Sequence, residues 1–194
     1  MNTESLSHIF LDALLINNFV LCVFLGMCSF LGISGKISTS WRLGVAVLFV
    51  ITMSAVVCYG TNLILVQYHA EYLRIITYVV IIAAMVQFTE MFIRKTSPGL
   101  FRELGIYLPL IATNCAVLAV PLFQTARGYN LAQSTVFAVG AAGGYIVAMV
   151  IMATIRERLE LSDTPKLLEG TILTLVIAGI LSLSFMGFAG MGGS

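Results

Sequence analysis

The chain has 194 residues, 59% of them hydrophobic and only 10% charged, with a formal net charge of +1 at pH 7. An ordinary soluble domain is about a quarter charged, so this composition excludes a water-soluble globule, and no basic, aromatic-studded patch offers itself to nucleic acid. Apolar runs long enough to cross a bilayer as helices recur, and the alternating strands of an outer-membrane barrel are absent; what remains is an all-α integral membrane protein with one transmembrane domain, residues 1–194.

The first seven residues carry neither a basic region nor a small-residue cleavage site, so no cleaved signal peptide is expected. Six transmembrane helices are predicted. Helix 1 runs from about Ile9 to Leu31, helix 2 from Leu43 to Val66, and helix 3 from Tyr72 to Ile93. Helix 4 covers Leu104 to Phe123, helix 5 Leu131 to Ile155, and helix 6 Gly170 to Met191. The connections are short, which leaves no room for an extramembrane catalytic domain. Basic residues collect after helix 1 (Lys36, Arg42), helix 3 (Arg94, Lys95, Arg102) and helix 5 (Arg156, Arg158, Lys166), whereas the other side keeps Arg74 and Arg127. Cytoplasmic loops are the basic ones, so both termini are predicted on the non-cytoplasmic side of the cell inner (cytoplasmic) membrane.

Three helices per half place the halves in opposite orientations, as inverted repeats of about 1–96 and 97–194. Sequence support comes from two polar interruptions in apolar segments: Asn17-Asn18 in helix 1 and Thr113-Asn114 in helix 4, related by an offset of 96 residues. Inverted repeats of this kind place functional sites at broken helices near the bilayer midplane. Pro109, which removes a backbone donor, and Gly26 and Gly32, which loosen the second part of helix 1, make helices 1 and 4 the broken ones. The Gly140-Ala141-Ala142-Gly143-Gly144 patch in helix 5 lets some other helix come close.

Cys28 and Cys115 each follow one of these interruptions. A lone membrane cysteine usually acts as a small hydrophobe. Paired at helix breaks, two thiolates can instead supply half of the four ligands of a [2Fe–2S] cluster, with backbone amides freed by the breaks offsetting its charge. Cys22 and Cys58 are read as packing, because neither is expected at a break. Asn17, Asn18, Thr113 and Asn114 are costly in hydrocarbon unless bonded, and are read either as interhelical hydrogen bonders or as supports of the broken helices. Asp12 and Glu90 are carboxylates within predicted spans. They are read as interfacial groups, Glu90 pairing with Arg94 one turn on, with ion handling as the sharper alternative. No phosphate-cradling loop, nucleophile elbow or zinc motif is present.

Asn17-Asn18-Phe19-Val20-Leu21, Phe24-Leu25-Gly26-Met27-Cys28, Gln87-Phe88-Thr89-Glu90-Met91, Arg94-Lys95-Thr96-Ser97-Pro98 and Thr113-Asn114-Cys115-Ala116-Val117-Leu118 together resemble the RnfA family, the A subunits of the Rnf ion-translocating electron-transfer complexes. Ile155-Arg156-Glu157-Arg158-Leu159 and Ser184-Phe185-Met186-Gly187-Phe188 extend the match over essentially the whole chain. The resemblance implies a translocase component that is not catalytic alone. It implies electron transport between ferredoxin and NAD coupled to Na⁺ or H⁺ movement, and a [2Fe–2S] cluster shared with the paralogous E subunit of the complex. Cys28 and Cys115 would then be this chain's iron ligands, and its partners the E subunit above all, the B, C, D and G subunits, and the lipid bilayer. Two alternatives stand beside it: an E-type component of the sodium-pumping NADH:quinone oxidoreductase, and a small-solute carrier built on inverted repeats.

Overall fold

The computed structural model describes residues 6–28, 32, 37–96, 110–111, 113–160 and 171–189. Among them the fold is all α. Helix α1 (Leu6–Leu11) widens into a π-turn over Asp12–Ile16, and the chain then leaves helical conformation until Met27. Helix α2 spans Ile37–Gln67, α3 Arg74–Thr96, α4 Cys115–Ala126, α5 Leu131–Glu160 and α6 Thr171–Ala189. The six helices expected from hydropathy are therefore present, with ends moved by a few residues in α2, α3, α5 and α6.

The long helices follow from what their sequences lack. Ile37–Gln67 has no proline and no charge after Arg42, so 31 residues continue without interruption. At 1.5 Å per residue that is about 46 Å, more than the ~30 Å of a hydrocarbon core. Among the described residues, three helical stretches are long and apolar enough to cross a membrane: Ile37–Gln67, Glu71–Lys95 and Leu131–Leu159. The stretches Leu6–Ile16, Cys115–Ala126 and Ile172–Gly187 are shorter apolar helices. At 12 residues α4 is only about 18 Å long, so it cannot reach across by itself.

Helices α2 and α5 form the centre. Gly44 of α2 lies so close to α5 that a Cβ there would meet Ile146 Cγ1 at 2.8 Å. Around this contact Val47, Val50 and Ile51 pack with Ala142, Tyr145 and Met149. The opposite faces of the peripheral helices remain apolar and exposed, as with Ile75, Ile76 and Val80 on α3 and Ile180 and Leu183 on α6. An apolar exterior of this kind matches lipid rather than water.

The glycine patch of α5 receives the N-terminal segment. A Cβ at Gly140 would meet Phe10 O at 2.9 Å, one at Gly143 would meet Leu14 Cδ1 at 2.8 Å, and one at Gly144 would meet Leu14 O at 2.8 Å. The patch is thus the seat of α1 and its π-turn, with backbone against backbone, which only a side chain of one hydrogen permits.

Candidate functional site

Two interruptions define the site. In the first, Asn17 N–H donates to Asp12 O at 2.7 Å, five residues back, which closes the π-turn. Asn18 then turns the chain out of the helix. Its side-chain oxygen accepts from Val20 N–H at 3.0 Å, and its amide donates to Gly144 O of α5 at 2.8 Å. Asn18 is fully buried, and these bonds are what make an amide tolerable there. Leu21 O, freed by the break, accepts from Ser182 Oγ of α6 at 2.6 Å. Phe24 at φ 57° and Gly26 at φ 84° carry the chain round before helical geometry resumes at Met27 and Cys28.

The second interruption repeats the device. Asn114 caps α4: its side-chain oxygen accepts from Ala116 N–H at 3.0 Å. Its amide faces the Tyr145 hydroxyl of α5 at 3.5 Å. Residues 18 and 114, and 20 and 116, stand at the same 96-residue offset seen in the sequence, so each half makes the same Asn-to-backbone bond beside neighbouring residues of α5. Residues 110–111 are helical on the far side of Thr113, so the fourth element is broken as the first is. Pro109, expected to contribute to that break, lies outside the described residues.

The two breaks touch. A Cβ on Gly26 would lie 3.1 Å from Asn114 Oδ1, 3.3 Å from Tyr145 Cε2 and 3.5 Å from Ala116 Cβ. Two residues beyond Gly26 is Cys28, and between Asn114 and Ala116 is Cys115. Gly32 and Leu110 also neighbour each other, with 3.7 Å between a Cβ on the glycine and Leu110 Cδ2. The cysteine-bearing segments are therefore brought together by the crossing of the broken elements. Cys28 and Cys115 are both exposed and both free, at the surface of this chain rather than in its core. Among the described residues no three His, Cys, Asp or Glu side chains gather as a metal site.

The other expected residues sort differently. Cys22 lies within the first interruption, not on a regular helix as expected, because the break runs from Asn17 to Gly26; its thiol donates to Ile16 O at 3.4 Å. Cys58 is wholly buried in α2. Thr113 is exposed in the turn before Asn114. Asp12 is tied from two sides, by Asn17 Nδ2 on one carboxylate oxygen at 2.7 Å and by Arg127 Nη1 on the other at 3.3 Å. Arg127 stands beyond the end of α4, over the rings of Tyr129 and Phe137. Burial opposes its charge, but the Tyr129 hydroxyl and the Asp12 carboxylate outweigh that and raise its pKa. Glu90 is half-buried on α3. Sequence reasoning missed Gly144, Tyr145, Ser182 and Arg127 as parts of the site. The small-residue run and a lone serine in an apolar helix were the available signals.

The chain matches the family model described as "Rnf-Nqr subunit, membrane protein" over residues 6–192. The chain belongs to the Rnf-Nqr membrane-subunit family, in its RnfA branch. It is 48% identical over 184 residues to the A subunit of the "Ion-translocating oxidoreductase complex" of Serratia proteamaculans, covering 94% of this chain and 95% of that one. The protein of the same name from Alkalilimnicola ehrlichii is 49% identical over 187 residues, 96% and 97% of the two chains. That from Syntrophotalea carbinolica is 46% identical over 189 residues, 97% and 98%.

Proposed function

We propose that this chain carries electrons across the membrane part of an Rnf-type complex, using Cys28 and Cys115 as its half of a [2Fe–2S] site shared with the paralogous E subunit. Family membership makes it a membrane component of an ion-translocating oxidoreductase complex. The electron path is the finer reading, and one observation carries it. Two interruptions with the same asparagine geometry cross at Gly26, and each leaves an exposed cysteine.

Such a cluster, when bound, supplies a one-electron carrier inside an apolar slab about 30 Å thick. The rest is the work of this chain's residues. Asn18 and Asn114 hold the two segments open and pin them to α5. Gly26 allows those segments to approach within contact distance. Thiolates need nearby donors in a low dielectric, and the break over residues 19–26 takes backbone N–H groups out of the regular helical ladder, although those of Val20, Cys22 and Leu25 are bonded locally. Val23 and Phe24, both exposed in the segment that leads to Cys28, give a neighbouring protein of the complex an apolar surface to cover.

This reading includes the finer architecture: six membrane crossings in two inverted three-helix repeats of about 1–96 and 97–194, with both termini outside the cytoplasm. The B, C, D and G subunits complete the complex, through which ferredoxin and NAD exchange electrons and Na⁺ or H⁺ is moved. The test is iron analysis and EPR on the purified complex. Cys28→Ser and Cys115→Ser each remove the [2Fe–2S] signal while the E subunit remains bound. A complex that keeps its signal and its electron flux with both cysteines replaced refutes the assignment.

A further inference from the structure

The turn after α2 folds the chain back on itself. Ala70 N–H donates to Leu65 O at 3.0 Å, and His69 takes φ 54° as the chain reverses. Helix α3 therefore returns antiparallel beside α2, and the stacked rings of Phe49 and Phe92, 6.5 Å between centroids, fix the register. These two residues stand equally far from Gln67 and Arg74, the helix ends that the turn joins. Both rings are exposed, so they floor a seam between α2 and α3 that stays open to the outside.

One direction along this seam is apolar. Met53 lies four residues past Phe49 on α2, Val56 three past Met53 and Gly60 four past Val56, the spacing of one helix face. Met53 and Val56 are exposed, and a Cβ on Gly60 would meet nothing within 4 Å. On α3, Phe88 is exposed one turn before Phe92, at the level of Met53. From Phe49 to Gly60 the seam is about 16 Å long at 1.5 Å per residue, the depth of one leaflet of a hydrocarbon core about 30 Å thick. The other direction is basic. Arg42 lies two turns before Phe49 on the same face, Lys95 lies one turn beyond Phe92, and both are exposed. Helix α2 has no carboxylate, and Glu90, two residues before Phe92, stands on the other side of α3. Trp41 is exposed at this same end, and tryptophan is the residue that membrane proteins keep at headgroup level.

We propose that this seam binds an anionic phospholipid, its phosphate held by Arg42 and Lys95 and one acyl chain lying along Phe92, Phe49 and Met53 toward Gly60. Charge selects the headgroup. A phosphate without an ammonium gains from both cations, whereas a zwitterionic headgroup brings a cation of its own to them. Basic pockets between transmembrane helices bind anionic headgroups on this principle. Bulk decides against a neighbouring helix as the occupant. Helices in lipid associate through small residues that let backbones approach. Phe49, Met53, Phe88 and Phe92 hold a backbone off, while a flexible chain fits between them. The proposal rests neither on the cysteine assignment nor on the ion that the complex moves.

The test uses the intact complex in detergent, stripped of lipid and titrated with phosphatidylglycerol, with bound lipid counted by native mass spectrometry. The wild-type complex binds phosphatidylglycerol saturably, and phosphatidylcholine does not compete. Arg42→Gln and Lys95→Gln each raise the half-saturating concentration of one bound lipid about fivefold, which corresponds to about 1 kcal/mol per basic residue. Arg42→Lys keeps the charge and binds as the wild type does, which separates loss of the site from loss of the fold. Arg158→Gln removes a basic residue from the last turn of α5 instead and has no effect. An unchanged titration in both glutamine variants of Arg42 and Lys95 overturns the proposal. So does an equal shift with Arg158→Gln, which means a general surface attraction. Release of another subunit by Arg42→Gln or Lys95→Gln overturns it too, because the seam is then a protein contact. Displacement of the lipid by glycerol 3-phosphate, which has the charge without the chains, means a bare phosphate site and equally overturns it.

Discussion

Replacing Gly144 by alanine tests the seat on which the first interruption rests. The new Cβ would lie 2.8 Å from Leu14 O, 3.0 Å from Asn18 Nδ2 and 3.2 Å from Ala13 O. Two of these three neighbours are backbone atoms and cannot swing aside. Overpacking of this sort costs about 1–3 kcal/mol. Displacing Asn18 from Gly144 O adds the loss of a buried membrane hydrogen bond, about 0.6 and at most ~1.7 kcal/mol. Alanine gains about 1 kcal/mol over glycine in helix propensity, which leaves a net destabilisation of about 0.6–3.7 kcal/mol. Gly60 of α2 supplies the control, because a Cβ there meets nothing within 4 Å. Gly60→Ala keeps the propensity gain and meets no clash, so its effect has the opposite sign. The assay is the midpoint of thermal unfolding of the purified complex in detergent, followed by loss of this chain from the assembly. Gly144→Ala lowers the midpoint and Gly60→Ala leaves it level or raises it. If the two variants shift it in the same direction, the docking of the π-turn on α5 described above is wrong.

Asn114→Ala removes the cap of α4 and costs about 0.5–2 kcal/mol; the same midpoint reports it, and Asn114→Asp, which keeps the accepting oxygen, recovers most of the loss. Asp12→Asn with Arg127→Gln, taken as a double-mutant cycle, yields a coupling of about 1 kcal/mol or less, because Arg127 is more than a third exposed; a coupling several times larger would mean a desolvated pair. Ser182→Ala strips Leu21 O of its partner and destabilises by about 1–3 kcal/mol, whereas Ser184→Ala, whose hydroxyl bonds Ile180 O of its own helix, has little effect. Alkaline phosphatase fused to the C-terminus is active in cells if the termini lie outside the cytoplasm; an inactive fusion alongside a fluorescent C-terminal GFP reverses the orientation.

Some of this is legible in the chain and some is not. The helices α2, α3 and α5 can be read directly, because an uninterrupted apolar run of bilayer length has no other stable form in lipid. The breaks are also legible, since Asn17-Asn18 and Thr113-Asn114 are amides where hydrocarbon allows none unbonded. Where each break begins and ends is not. Hydropathy predicts helix 1 as far as Leu31, yet it stops at Ile16, because Asn18 finds Gly144 O, Ser182 finds Leu21 O, and Gly26 adopts a positive φ. These are long-range partners that no local propensity announces. The misplacement of Cys22 on a regular helix has the same cause.

Sequence by itself determined the medium, the helix count, the two polar interruptions and the pair of cysteines beyond them. Those depend on composition and on near neighbours along the chain. Only the tertiary structure decided that the glycines of α5 seat the first interruption, that Gly26 fits against Asn114 and Tyr145, and that Cys28 and Cys115 are each exposed beside that contact in sequence. The reason is physical: an amide or a hydroxyl in a low dielectric is governed by whichever group it meets, and that group comes from another helix far away in the chain.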